Sequence, residues 1–156
     1  MLRRDFLQAA GAATLVGAGT PSLAGAEKAP AALFRGKIYK SVKYGGRVNL
    51  KRLQALKNLG FDGVEGSGPG MDVEGLRKAC AEMNMPMHGV VYNKHWKMRL
   101  SSPNPEVREI GRKGLEDAIR ESKAVGGSSV LLVPGAVKGK DETHDHVWNR
   151  SITEIR

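Results

Sequence analysis

Cysteine occurs once, at Cys80, so no disulfide can form within the chain. Whatever holds the fold together is a packed core and not a set of bridges. Cys80 shares a helical spacing with Val73, Leu76 and Met83, which favours a small core filler over a reactive thiol. Long apolar runs are missing too. The longest, Ala9 to Gly19, is about half the roughly twenty residues that a membrane span needs. No Gly-x-Ser-x-Gly elbow, dinucleotide fingerprint or zinc-ribbon cysteine set is present. The glycines of Gly66-Ser67-Gly68-Pro69-Gly70 lack the following Gly-Lys-Ser/Thr of a phosphate loop. Acidic residues are the minority, 16 against 25 Lys and Arg, a net charge of +9. The basic residues are scattered over helical stretches (Lys51, Arg52, Lys57, Arg77, Lys78, Arg112, Lys113) without interleaved aromatics. That pattern reads as a solvated basic face and gives no reason to expect a nucleic-acid partner.

What is present begins with an export pattern. Met1-Leu2-Arg3-Arg4-Asp5-Phe6-Leu7 places a charged start before the weakly apolar stretch. Pro21-Ser22 and the small-residue site Ala24-Gly25-Ala26 follow. This is the layout of a secretory signal. The Arg3-Arg4 pair resembles the twin-arginine consensus, so residues 1–26 are expected to be removed and the remainder to work in the periplasm or otherwise outside the cytoplasm. Removal takes Arg3, Arg4 and Asp5 and leaves +8. Residues 27–36 are Ala- and Pro-rich and read as a linker, and no membrane span is expected in the mature chain.

Beyond the linker a single pattern recurs. Lys37 to Lys43 reads as a strand. A helix from Asn49 to Gly60 has an N-cap and a left-handed terminator at its two ends, followed by a strand at Gly63-Val64-Glu65. Asp72 caps a second helix that stops at Asn84, and Met87 to Val91 is the next strand. Asn104 and Pro105 start a third helix with an expected apolar stripe of Val107, Ile110, Leu115, Ala118, Ile119 and Val125. Gly126-Gly127 ends it, Ser129 to Val133 is the clearest strand, and a fourth helix is expected near Val147. Strands alternating with helices through short αβ loops predict an α/β fold with parallel strands. The longer βα loops, 66–70, 92–103 and 134–145, hold the unusual residues, at the strand ends where such folds bind ligands. About four βα units in this length match the N-terminal half of a (β/α)8 TIM barrel, 37–156; a dimer of half-barrels or a small open sheet are the alternatives.

Three runs carry a family resemblance. Leu56-Lys57-Asn58-Leu59-Gly60-Phe61-Asp62-Gly63-Val64-Glu65 resembles the first helix end and second strand of the sugar phosphate isomerase/epimerase group, whose barrels are xylose-isomerase-like and related to endonuclease IV. Met85-Pro86-Met87-His88-Gly89-Val90 is similar to its third strand, and Ser101 to Gly135 to the helix and strand that follow. The resemblance implies a small sugar or hydroxy-ketone substrate and a divalent metal (Mn, Mg, Co or Zn). It also implies proton transfer beside a carbonyl by two metal-binding glutamates. The ligands it implies lie on the fifth strand and beyond, so no catalytic or metal-binding residue is assigned within these 156 residues. A lyase or dehydratase of the same barrel shares that chemistry, and a non-catalytic carbohydrate-binding barrel is a further alternative. A DNA-repair nuclease is disfavoured by export.

Four residues are expected to contact substrate: Glu65, His88, His95 and Trp96. Glu65, at the expected tip of strand two, can bind sugar hydroxyls, orient a metal-bound group or simply anchor the neighbouring loop through backbone N–H groups. His88, expected near the tip of strand three, is read as a substrate contact, a loose match to an endonuclease IV zinc ligand, or a core histidine. His95 and Trp96 suit a pocket wall, since indole offers a flat face to the C–H side of a sugar and imidazole bonds hydroxyls; the alternative is a plug in the barrel mouth. Tyr39 and Lys43 are further candidates. Asp141, Glu142, His144, Asp145 and His146 are read as a loop cluster, either metal-binding or solvated.

Overall fold

A computed structural model describes residues 36–156. The export segment and all but the last residue of the linker lie outside the described residues. Four strands, β1 (Ser41–Lys43), β2 (Gly63–Gly68), β3 (Met87–Tyr92) and β4 (Val130–Leu131), alternate with α1 (Leu50–Asn58), α2 (Val73–Glu82), α3 (Pro105–Ala124) and α4 (His144–Ile155). The strands form one sheet in the order β1-β2-β3-β4, and every pairing is parallel. No helix among the described residues is long and apolar enough to cross a membrane.

Local chemistry sets the helix ends. Asn49 Oδ1 accepts from Arg52 N–H (3.0 Å), Asp72 Oδ1 from Gly75 N–H (2.9 Å) and Asn104 Oδ1 from Glu106 N–H (2.9 Å). Each satisfies one of the donors that a helix start leaves unpaired. At the other ends Gly60, Asn84 and Gly126 take φ of 84°, 46° and 88°. This left-handed turn directs the chain back to the sheet.

The core lies between the sheet and its helices. Leu53, Val64, Leu76, Cys80, Met87, Val90, Tyr92, Ala118 and Val125 are all buried there. Burial raises the Cys80 thiol pKa, which fits the filler reading. The stripe of α3 differs from expectation. Its buried positions are Gly111, Gly114, Ala118 and Ser122, while Ile110 and Ile119 are each 50% exposed. Small residues are required because Tyr92 projects from β3 into this face, donating its O–H to Gly111 O at 3.0 Å.

Several element boundaries also move. β1 is shorter than Lys37–Lys43, and β4 shorter than Ser129–Val133, because each has a single neighbour and pairs only over a few residues. β2 runs on into the expected glycine loop, because Gly66, Ser67 and Gly68 pair with Val90, Val91 and Tyr92. The fourth helix starts at His144, three residues ahead of the expected Val147. Thr143 is its cap: Oγ1 accepts from His146 N–H (3.2 Å), and Thr143 N–H donates to His146 Nδ1 (3.3 Å). The His-Asp-His run is therefore a helix start and not a loop cluster.

Candidate functional site at the carboxyl ends of the strands

The strand period of two divides the sheet into two faces. Val42, Val64, Val90 and Val130 all pack in or against the helix-side core. Their successors or partners, Lys43, Glu65, Ser67, Val91 and Leu131, therefore stand on the opposite face. The register runs Lys43↔Glu65, Glu65↔Gly89, Ser67↔Val91 and Val91↔Leu131. On this face Leu131 of the edge strand β4 is 51% exposed, while Val91 of β3 is buried.

The loop after β3 lies at the carboxyl ends of the strands. Asn93 ties it to β2, donating its N–H to Gly68 O (2.7 Å) and its amide to Pro69 O (3.0 Å). His95 follows, only 8% exposed, edge-on to Tyr92 (6.2 Å between ring centres) and to Trp96 (5.2 Å). Its Nδ1 is buried with no hydrogen-bond partner. Most buried polar atoms are paired, so such an atom is suited to a ligand. Trp96 is 56% exposed among the described residues.

Burial lowers the pKa of His95, and the nearby Lys43 ammonium adds to the effect. The imidazole is neutral at neutral pH. Its titration, followed by NMR, is expected to fall below the ordinary value of about 6.5. The unfolded chain then binds the extra proton first, so stability from this group is present above about pH 6.5 and is lost as pH falls toward the folded value. A midpoint at or above the ordinary value would contradict the burial seen here.

The expected site residues separate into two ends. Glu65 lies in the middle of β2, not at its tip, and its carboxylate makes no hydrogen bond or ion pair among the described residues; its backbone C=O accepts from Tyr44 N–H at 2.7 Å. The loop-anchoring carboxylate is instead Glu121 on α3, which accepts from Gly70 N–H (2.7 Å) and Met71 N–H (3.2 Å). His88 is the second residue of β3, near the start of that strand and not at its tip. The register there steps from Val64↔Met87 to Glu65↔Gly89, leaving His88 as the extra residue of a bulge. It is exposed and lines a cleft of about 270 Å³ with Tyr39, Ser41 and Asp62, at the amino end of the sheet. The four residues from His88 to Tyr92 span roughly 13 Å, so the structure does not bring His88 or Tyr39 to His95 and Trp96. Lys43 ends β1 at the carboxyl end of the sheet, and its charge bears on His95 without a hydrogen bond or ion pair between them.

Glu142 has a different task. It is held between Arg99 (3.6 Å) and Arg150 and accepts from Lys138 N–H at 2.7 Å. That N–H first, and the two guanidiniums with it, lowers its pKa. This network ties the β3–α3 loop to the β4–α4 loop and α4. No cluster of three His, Cys, Asp or Glu side chains suited to a metal occurs among the described residues. The described residues therefore do not fit the divalent metal that the resemblance implies.

Residues 53–156 match the family of the Xylose isomerase-like TIM barrel. The chain belongs to that family. No curated protein matches this member in sequence. Among solved structures, 3-keto-D-glucoside 4-epimerase from E. coli superposes with a TM-score of 0.61 at 16% identity, covering 74% of this chain and 49% of that one. An L-ribulose 3-epimerase gives 0.61 at 22%, covering 74% and 43%. An AP endonuclease of family 2 from Brucella melitensis gives 0.58 at 13%, covering 75% and 48%. At these identities the likeness shows the fold. This xylose isomerase-like chain spans less than half the length of each of them. The sheet is four parallel strands, about half of a TIM barrel, as the strand-helix alternation predicts.

Proposed function

We propose that this chain supplies a sugar-contacting wall of an isomerase- or epimerase-like barrel acting on a small sugar or hydroxy-ketone. The observation that carries the reading is His95, a buried neutral imidazole with an unpartnered Nδ1, packed edge-on against the half-exposed Trp96. An indole ring covers the C–H face of a sugar while an imidazole nitrogen takes a hydroxyl, and Glu65 offers a free carboxylate farther down the same face. Epimerases of sugars are among the solved structures of similar fold, which supports the substrate class. In a longer chain the metal and the two proton-transferring carboxylates belong to later strands, and the residues here bind and orient.

In a Trp148→Phe background Trp96 is the remaining tryptophan, and its fluorescence is expected to change saturably with ketoses such as D-tagatose or L-ribulose. No saturable change across the panel, or one that survives Trp96→Ala, would count against the reading. If catalysis accompanies binding in the complete gene product, added magnesium should promote exchange of the substrate α-proton with solvent deuterium. Binding without exchange would leave a carbohydrate-binding barrel.

Export through the twin-arginine route is part of the same proposal, supported by Arg3-Arg4 ahead of the weakly apolar segment. Replacing both arginines by lysine is expected to retain a tagged chain in the cytoplasm. Unchanged periplasmic recovery would refute it.

A further inference from the structure

A cleft of about 380 Å³ opens at the carboxyl ends of β1 and β2, between the two loops that follow them. Its rim is fixed from both sides. Arg52 Nη1 donates to Gly45 O (2.8 Å), and Asn49 N–H donates to the Tyr44 hydroxyl oxygen (2.8 Å). Across the cleft, Glu121 holds the N–H groups of Gly70 and Met71, and the Asn93 amide holds Pro69 O. Loops tied down in this way leave little ordering for a ligand to complete. Leu76 and Met71 give the cleft an apolar base continuous with the core. Arg47, Ser67, Asp72 and Asn93 bring polar groups to the same space. The Arg47 guanidinium and the Ser67 hydroxyl make no hydrogen bond among the described residues. Asn93 donates its amide and leaves Oδ1 open, and Asp72 uses Oδ1 as the cap of α2. Arg47 and Asp72 are the charged residues of this lining, and no ion pair joins them.

Resting on the sugar-binding reading above, we infer that this cleft is a subsite for a second, uncharged sugar ring, so that the substrate is a disaccharide or other glycoside. Charge selects against an anion: a phosphate that paired with Arg47 would also meet the Asp72 carboxylate. Sugar hydroxyls suit both, because each can donate and accept. They donate to Asp72 and to Asn93 Oδ1, and accept from Arg47 and Ser67, while the C–H side of the ring covers Leu76 and Met71. The volume lies within the roughly 300–1,000 Å³ of small-molecule sites, whose linings combine apolar surface with a few placed polar groups. The subsite adjoins the wall. Asn93 lines the cleft and His95 follows it by two residues, a reach of at most about 7 Å, so a sugar at the wall can extend a glycosidic bond into the cleft.

The test uses the full chain with Trp148→Phe and reads Trp96 fluorescence with D-fructose and with three disaccharides that end in a ketose: lactulose, turanose and isomaltulose. At least one disaccharide is expected to bind about tenfold more tightly than fructose, or better. Arg47 is exposed and without a partner in the fold, so Arg47→Met should remove most of that advantage and leave the fructose Kd within about twofold. In NMR spectra of the parent, the amide signals of Gly45, Gly46 and Gly70 on the cleft rim should shift with the favoured disaccharide. Inorganic phosphate at the same ionic strength should not displace it. Fructose binding with no disaccharide bound more tightly would overturn the subsite and leave the sugar reading intact. An advantage that survives Arg47→Met, glycine signals that stay in place, or displacement by phosphate would also overturn it. Absence of binding by all four sugars would remove both readings.

Discussion

Gly111→Ala is expected to destabilise the protein by about 2 kcal/mol, against the direction of helix propensity. Gly111 sits inside α3, where alanine is favoured over glycine by about 1 kcal/mol. Packing reverses the sign. A Cβ at this position would lie 2.4 Å from the backbone oxygen of Met98 and 3.1 Å from Leu100 Cδ2. A carbonyl oxygen cannot swing aside as the end of a long side chain can, so α3 or the β3–α3 loop must shift. That shift disturbs Tyr92, which donates to Gly111 O, and whose hydroxyl oxygen lies 2.7 Å from the place of a Cβ on Gly114. Overpacking of this kind costs about 1–3 kcal/mol, more than the propensity gain returns. Urea unfolding should show a lowered midpoint with an unchanged slope, and Lys113→Ala on the exposed side of the same helix should stay within about 0.5 kcal/mol. A midpoint equal to or above that of the parent would show that the loop yields freely and that the close contact is not a constraint.

His95→Phe should separate stability from function. The ring is buried between Tyr92 and Trp96, and its Nδ1 has no partner in the protein. A phenyl ring keeps the apolar edge contacts and removes an unsatisfied polar atom, so the melting temperature is expected to hold or rise. Sugar affinity is expected to fall by at least about tenfold, because the hydroxyl that met the imidazole would face an apolar ring. The parent should also lose stability below about pH 6.5 by more than the variant does, since the variant has no proton to bind in the unfolded chain. Thermal melts at pH 7.5 and 5.5, together with the Trp96 fluorescence titration, read all three outcomes. A large drop in melting temperature at neutral pH would make His95 a structural residue, and unchanged affinity would remove it from the binding wall.

The order of elements was legible because it is written in local signals. Asn49, Asp72 and Asn104 satisfy helix N–H groups within three residues of themselves, and Gly60, Asn84 and Gly126 supply left-handed turns at their own positions. Those interactions need no distant partner. The placement of His95 and Trp96 after the third strand followed from the same alternation.

Contacts between distant segments were not legible in that way. The Gly66–Gly68 segment has the composition of a loop, and pairing with β3 makes it strand. His88 looks like the tip of a strand until the register shows that β3 runs on to Tyr92, with His88 in a bulge near its beginning. Glu121 is one charged residue among many on α3, and only the fold sets it 50 residues from its loop partner Met71 in sequence but within hydrogen-bond reach. The buried stripe of α3 likewise follows Tyr92, a neighbour from another element, instead of the pattern of large apolar residues.

By itself, then, the amino-acid sequence determined an α/β chain of four parallel βα units with capped helices and one buried cysteine. The tertiary structure decided which end of the sheet each candidate occupies, setting His95 and Trp96 beyond the carboxyl end of β3 and leaving His88 near its start. The physical reason is the strand period of two: a one-residue step in register exchanges the faces, and no local preference records it.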